Sequence, residues 1–255
     1  MAHSRIVFIA FEGIDGAGKS TVVPALSALL RSGGVNDVQI LRKSADAGGG
    51  DPAAPQLRQL YELIWGGRDD EPAGDPLGTH VHLFLHAAWF AALHRARVRP
   101  LRERPGSVAV ADGWYYRTVV KAVARGVAED WALSLFEHTA KPDLVVLLDV
   151  DPVVAWERRA GRFRHSELGT WEGLEGDPRD TFLAYQSRIR AGLDGLARRF
   201  GWEVVRQGGA DTVDGVLDEV GARVMAWLAA RPERRSVAGD GRRLRPPRPA
   251  DIYGI

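Results

Sequence analysis

The chain has 255 residues, a formal net charge of +1, and hydrophobic and charged fractions of 45% and 26%. These values suit one large α/β domain and argue against a protein built around nucleic-acid or membrane-surface binding. No apolar run reaches the ~20 residues of a membrane span. The lack of cysteine removes disulfides, thiol catalysis and cysteine-ligated zinc, and fits a cytoplasmic enzyme.

The first expected element is a strand over Arg5–Phe11. It runs into Phe-Glu-Gly-Ile-Asp-Gly-Ala-Gly-Lys-Ser-Thr at residues 11–21, where Gly13, Gly18, Lys19 and Ser20 fill the pattern G-x-x-x-x-G-K-[ST]. Strand, glycine-rich loop and helix start together form a cradle for polyphosphate, because backbone N–H groups turn inward at a helix N-terminus. Gly13, Asp15, Gly16, Ala17, Gly18, Lys19, Ser20 and Thr21 are therefore the expected ATP- or GTP-binding residues. Lys19 would reach the outer phosphates, and Ser20 would offer its hydroxyl to magnesium.

Further along the chain, short apolar runs alternate with 3.6-period segments. Strands are expected at Val38–Leu41, Ser107–Ala111, Leu144–Asp149 and Glu203–Val205. Helices are expected at Lys19–Arg31, Ala54–Trp65, Thr79–Arg102, Trp131–Thr139, Pro152–Arg159, Arg179–Phe200 and Val213–Ala230. This alternation predicts an α/β fold of the P-loop NTPase kind, three layers (α/β/α) around a five-stranded parallel sheet. The P-loop domain would cover residues 1–230, with a lid over about 161–177. The Pro- and Arg-rich stretch 231–255 reads as a tail outside the domain; nucleic acid is its less favoured partner, given the near-neutral net charge.

The strand ending in Asp112 places a carboxylate at the ligand-bearing edge of a parallel sheet, where it serves either as a second magnesium anchor or as a turn residue before Gly113. Asp149 ends the next strand and reads equally well as structural or functional; Asp151 before Pro152 reads as a helix cap. Arg158, Arg159, Arg162 and Arg164 then run from a helix into a loop, a mobile cationic cover for a phosphoryl group in transfer. Trp114 could stack on a base or sugar, or simply pack in the core.

The motif at 11–21, Leu41-Arg42, the Asp112 strand end and Pro142-Asp143-Leu-Val-Val-Leu-Leu-Asp149-Val-Asp151-Pro152 together resemble the thymidylate kinases over roughly residues 5–225. The resemblance implies transfer of the γ-phosphate of MgATP to a small-molecule acceptor, a closing lid and often a homodimer. It implies that Lys19, Ser20 and Thr21 serve ATP and magnesium, and that Asp112 serves magnesium. Arg42 would grip the acceptor's phosphate, and Asp15 would meet the hydroxyl of its sugar. Arg162 and Arg164 would supply catalytic charge from the lid, as in the bacterial subtype.

The chain also departs from the family. Asp-Arg-Tyr is Asp112-Gly113-Trp114, and the base-reading arginine is replaced by the stretch His86-Ala87-Ala88-Trp89. Ala-Tyr-Gln gives way to Val119-Val120-Lys121, and Glu-Pro-Gly-Gly-Thr to Lys43-Ser44-Ala45-Asp46-Ala47. With those partners gone, the favoured acceptor is a hydroxyl of a non-nucleotide metabolite such as an aminoglycoside or amino sugar. It would be held by Asp15, His86 and the acidic loop Asp69–Asp75, with Asp15 orienting or deprotonating the hydroxyl. The alternative is dTMP or a related nucleoside monophosphate, with Arg117 standing in for the lost arginine.

Overall fold

The computed structural model describes residues 6–42, 52–66, 77–101, 104 and 106–230. The Lys43–Ala47 replacement, the Asp69–Asp75 loop and the tail at 231–255 lie outside these. Five strands, β1 (Val7–Glu12), β2 (Val38–Leu41), β3 (Val108–Asp112), β4 (Leu144–Val150) and β5 (Glu203–Gln207), form one all-parallel sheet in the order β2-β3-β1-β4-β5. Strands of continuous apolar sequence are expected where helices cover both faces of a sheet. Residues 8–12 of β1, 108–111 of β3 and 144–148 of β4 are all buried. β1 sits centrally, so the turn that follows it opens where strand order reverses, the usual ligand crevice of such sheets.

The helices are α1 (Lys19–Ser32), α2 (Ala54–Trp65), α3 (Gly78–Leu93), α4 (Arg99–Leu101), α5 (Tyr116–Ala124), α6 (Glu129–Ser134), α7 (Pro152–Arg158), α8 (His165–Leu168), α9 (Pro178–Phe200) and α10 (Val213–Ala230). Among the described residues none is long and apolar enough to cross a membrane. The helix expected over Thr79–Arg102 is interrupted by a π-helical turn at His94–Val98. Pro100 explains the break: it has no N–H and its ring crowds the carbonyl four residues back, and just before it the Arg99 N–H reaches back to the His94 carbonyl. The expected Trp131–Thr139 helix shortens to α6, and α5 was not expected at all. In α7, Asp151 caps the helix as anticipated, accepting the Val153 N–H at 2.9 Å.

Two residues weighed for a site belong to the framework. Trp114 is 1% exposed; its ring meets Phe8 and Phe90 edge-on at 5.0 and 4.9 Å, and its indole N–H donates to the Ala140 carbonyl at 2.9 Å. A side chain locked in this way cannot stack on an acceptor, so the expectation of acceptor binding by Trp114 is corrected. Asp149 is held by the Arg190 guanidinium at 2.5 and 3.1 Å, which makes it a strand-to-helix tie. Trp114→Ala should lower unfolding free energy by about 3–5 kcal/mol, read from urea denaturation; a loss below about 1 kcal/mol would contradict the packing role.

Candidate active site

The loop between β1 and α1 is shaped by close backbone approach. A Cβ on Gly13 (φ +153°) would lie 2.7 Å from the Leu148 carbonyl oxygen, and Gly18 caps α1 from the left-handed region at φ +89°, so both positions require glycine. The Lys19 ammonium donates to the Gly13 and Ile14 carbonyls at 2.8 and 2.9 Å. Burial lowers its pKa to about 8, and Arg117 adds to the fall while Asp15, Glu12 and Asp112 oppose it. The residues Asp15–Thr21 open onto a cavity of about 950 Å3, which Asp112, Arg158 and Arg159 also line. With α1 aimed at this space, its first N–H groups, which lack intrahelical partners, suit an anion.

A second, smaller cavity of about 170 Å3 lies between α2, α3, α5 and the 161–177 segment. Trp65, His82 and His86 form one wall; Arg117, Lys121, Arg125 and Arg164 supply cationic groups. The His86 Nδ1 lies 3.0 Å from the His82 carbonyl, which can only accept, so that nitrogen carries the proton. Asp15, Arg117 and Glu167 line both cavities; the two spaces meet there.

The junction is an ion-pair cluster. Arg117 donates to Asp15 Oδ1, and the Lys121 ammonium stands 3.9 Å from Oδ2. Burial pushes the Asp15 pKa up, but the charges of Arg117, Lys121 and Lys19 outweigh it and hold the carboxyl below its ordinary range. Gln186, fully buried on α9, accepts the Asp15 N–H at 3.2 Å and donates to Asp15 Oδ2 at 3.3 Å.

Most expected site residues fall at these cavities. Gly16, Ala17, Gly18, Lys19, Ser20, Thr21 and Asp112 line the large one, Asp15 and Arg117 both, and His86 and Arg164 the small one. Gly13 shapes the turn from behind. Two further residues are not brought to these cavities. Arg162 is exposed, donates to the Arg159 carbonyl at 3.3 Å and lines neither cavity; the tight turn after α7 points it outward, and Arg158 and Arg159 take the place beside the phosphate loop. Arg42 is exposed at the end of β2 and lines neither cavity among the described residues. Of the histidines, His80 lies against Trp131, 5.4 Å between rings.

Lys121, Glu167 and Gln186 were missed as site residues. Lys121 and Gln186 carried a signal: one of only four lysines among 34 basic residues, and a glutamine on the apolar stripe Phe182, Tyr185, Ile189 and Leu193 of α9.

The thymidylate kinase of Cereibacter sphaeroides is 31% identical to this chain over 228 residues, spanning 87% of the chain and 94% of that protein. The chain belongs to the thymidylate kinase family. The thymidylate kinase of Ruegeria pomeroyi is 29% identical over 225 residues, 87% of the chain and 96% of that protein. A probable thymidylate kinase of Thermococcus onnurineus is 28% identical over 183 residues, 72% and 85% of the two. No protein-family model matches the chain. Membership and fold together make the protein an ATP-dependent kinase of the thymidylate-kinase type, acting on a small molecule. The non-nucleotide acceptor favoured by sequence gains no support from these relatives.

Asp15 generates a pH prediction. Its carboxyl is depressed below its ordinary value of 3.8, so the ionised form stabilises the fold above about pH 4, and this contribution is lost as pH falls through the folded-state pKa. Asp15→Asn should cost about 3–5 kcal/mol at pH 7, the order found when a buried ion pair loses one partner. The difference should shrink in urea titrations at pH 4 and at pH 2.5; a pH-independent gap would contradict the pairing.

Proposed function

We propose that this protein is a thymidylate kinase, moving the γ-phosphate of MgATP to the phosphate of dTMP or a closely related nucleoside monophosphate. One observation carries the reading: an ionised Asp15, flanked by Arg117 and Lys121, stands where the donor and acceptor cavities meet. A hydroxyl acceptor is best served by a carboxylate free to take its proton, and Asp15 is instead paired with Arg117 and Lys121. A phosphate acceptor is already an anion and needs cations, which Arg117, Lys121 and Arg164 supply from the small cavity.

In this reading the adenine nucleotide occupies the large cavity with its phosphates on the Gly13–Ser20 turn. Lys19 exchanges its two loop carbonyls for phosphate oxygens. The donor set also fits magnesium, a hard cation that takes few protein ligands beside phosphate and water: the Ser20 hydroxyl and Asp112 carboxylate line the same space. Magnesium there would neutralise charge on the phosphate oxygens. Arg117 lies between donor and acceptor and balances charge on the group in transit, the part that the family's arginine plays at the position of Gly113. Arg158 and Arg159 flank the outer phosphates. Asp15 holds Arg117 in place and accepts from the acceptor's sugar hydroxyl rather than removing a proton.

Coupled ADP release with dTMP, dUMP, dGMP, thymidine and an aminoglycoside tests the proposal. dTMP should be the best acceptor and thymidine inert; faster turnover of the aminoglycoside or of any free hydroxyl would overturn it. Lys19→Ala should lower kcat about a hundredfold or more. Arg117→Ala should raise KM for dTMP at least about tenfold, as expected from a lost charge-assisted contact.

A further inference from the structure

Gln186 carries more connections than a core side chain requires. It is fully buried on α9 in the apolar stripe formed by Phe182, Tyr185, Ile189 and Leu193, where its amide must be satisfied or cost stability. Three contacts satisfy it. Oε1 accepts the Asp15 N–H at 3.2 Å, while Nε2 donates to Asp15 Oδ2 at 3.3 Å and to the Glu167 backbone carbonyl at 2.7 Å. The orientation is fixed, because an N–H can only donate and a carbonyl can only accept.

Each contact leads to the reaction path. Asp15 pairs with Arg117 between the two cavities. Glu167, in α8, turns its carboxylate to the Arg159 guanidinium at 3.3 and 3.4 Å, and Arg159 lines the phosphate cavity. The same carboxylate accepts the Arg164 N–H at 2.9 Å. The segment is seated by packing as well: Phe163 sits 4.0 Å from Phe182 and 5.6 Å from Trp156 between ring centroids, and a Cβ on Gly16 would lie 3.4 Å from its ring. Apolar packing alone could seat the segment; the amide bonds it to Asp15 directly, beside a looser bridge through Lys121, which donates to the Ser166 carbonyl at 3.2 Å and stands 3.9 Å from Asp15 Oδ2.

We infer that Gln186 is a positioning residue that couples seating of the 161–177 lid to the placement of Asp15, so that Arg117 and Arg159 are aligned together. Departure of the lid removes the acceptor of the strongest Nε2 bond and loosens Asp15; displacement of Asp15 weakens the hold on Glu167 and with it Arg159. The inference rests on the kinase reading but not on the identity of the acceptor.

The test uses the full chain with Gln186→Met, which keeps volume and removes all three bonds, and Gln186→Glu, which sets a carboxylate against the Glu167 carbonyl and Asp15 with Arg117 and Lys121 nearby. Amide hydrogen exchange over residues 162–173, with a non-hydrolysable ATP analogue and magnesium, should be about tenfold faster in the Met variant. kcat should fall about tenfold with the KM for ATP within about twofold, since positioning acts on the transition state. ATP hydrolysis without acceptor should rise relative to transfer, because a loosened lid admits water. Wild-type exchange and kcat in both variants, well below their melting temperatures, would overturn the inference, as would a lower melting temperature with kcat unchanged. If the Met variant does not fold, Gln186→Asn, which retracts the amide by one methylene, should show the same pattern at smaller size. Loosened exchange without turnover of dTMP would sink the acceptor reading alone; tight exchange with normal turnover would sink this inference alone.

Discussion

The pair between buried Asp15 and half-buried Arg117 is the constraint around which the rest is arranged. A carboxylate and a guanidinium removed from water are tolerated only when each is fully partnered. Here the partners come from the P-loop, α5 and α9, three parts of the chain far apart in sequence, and the 161–177 segment joins them through Gln186 and Lys121. The parallel sheet brings them together, because β1 ends where the phosphate loop must begin and β3 delivers α5 beside it. The pair thereby marks the boundary between a large phosphate cavity and a small, cation-rich one.

That placement gives a division of labour. The large cavity is built mainly from backbone and hydroxyl groups suited to an anion with many oxygens, as P-loops generally are. The small cavity combines aromatic and imidazole surface from Trp65, His82 and His86 with the charges of Arg117, Lys121, Arg125 and Arg164. Arg125 is already engaged by the Glu172 carboxylate at 2.5 Å, so Arg117 and Lys121 are the cations nearest the boundary. Several family residues that read dTMP are replaced, yet cationic character persists at new positions on α5.

Strands and the phosphate loop were legible in the sequence because their physics is local. Apolar runs bounded by turn residues give strands within a residue or two, and the glycine positions of the P-loop follow from backbone geometry that no other residue tolerates. Helix α5 was illegible for the opposite reason. Tyr115-Tyr116-Arg117-Thr118-Val119-Val120 is rich in aromatic and β-branched residues with modest helix propensity. Its helical form depends on burying Tyr116, Val119 and Val120, with Val120 fitting where Gly192 of α9 leaves room, 2.5 Å from the place of a Cβ. Arg117 was named as a substitute for the missing arginine, but its pairing with Asp15 depends on that helix. Which of the arginines at 158–164 lines which cavity was not legible, because residue type alone does not tell which way a tight turn points: Arg159 and Arg162 differ by three positions, and only the first lines the cavity of the phosphate loop.

If the two cavities are halves of one transfer site, a ligand joining adenosine to thymidine through five phosphates should fill both at once. Calorimetry should give one such molecule per chain, bound about a hundredfold or more tighter than ATP or dTMP alone, as linking two adjacent sites predicts. Affinity no better than that of ATP, or two molecules bound per chain, would contradict the account.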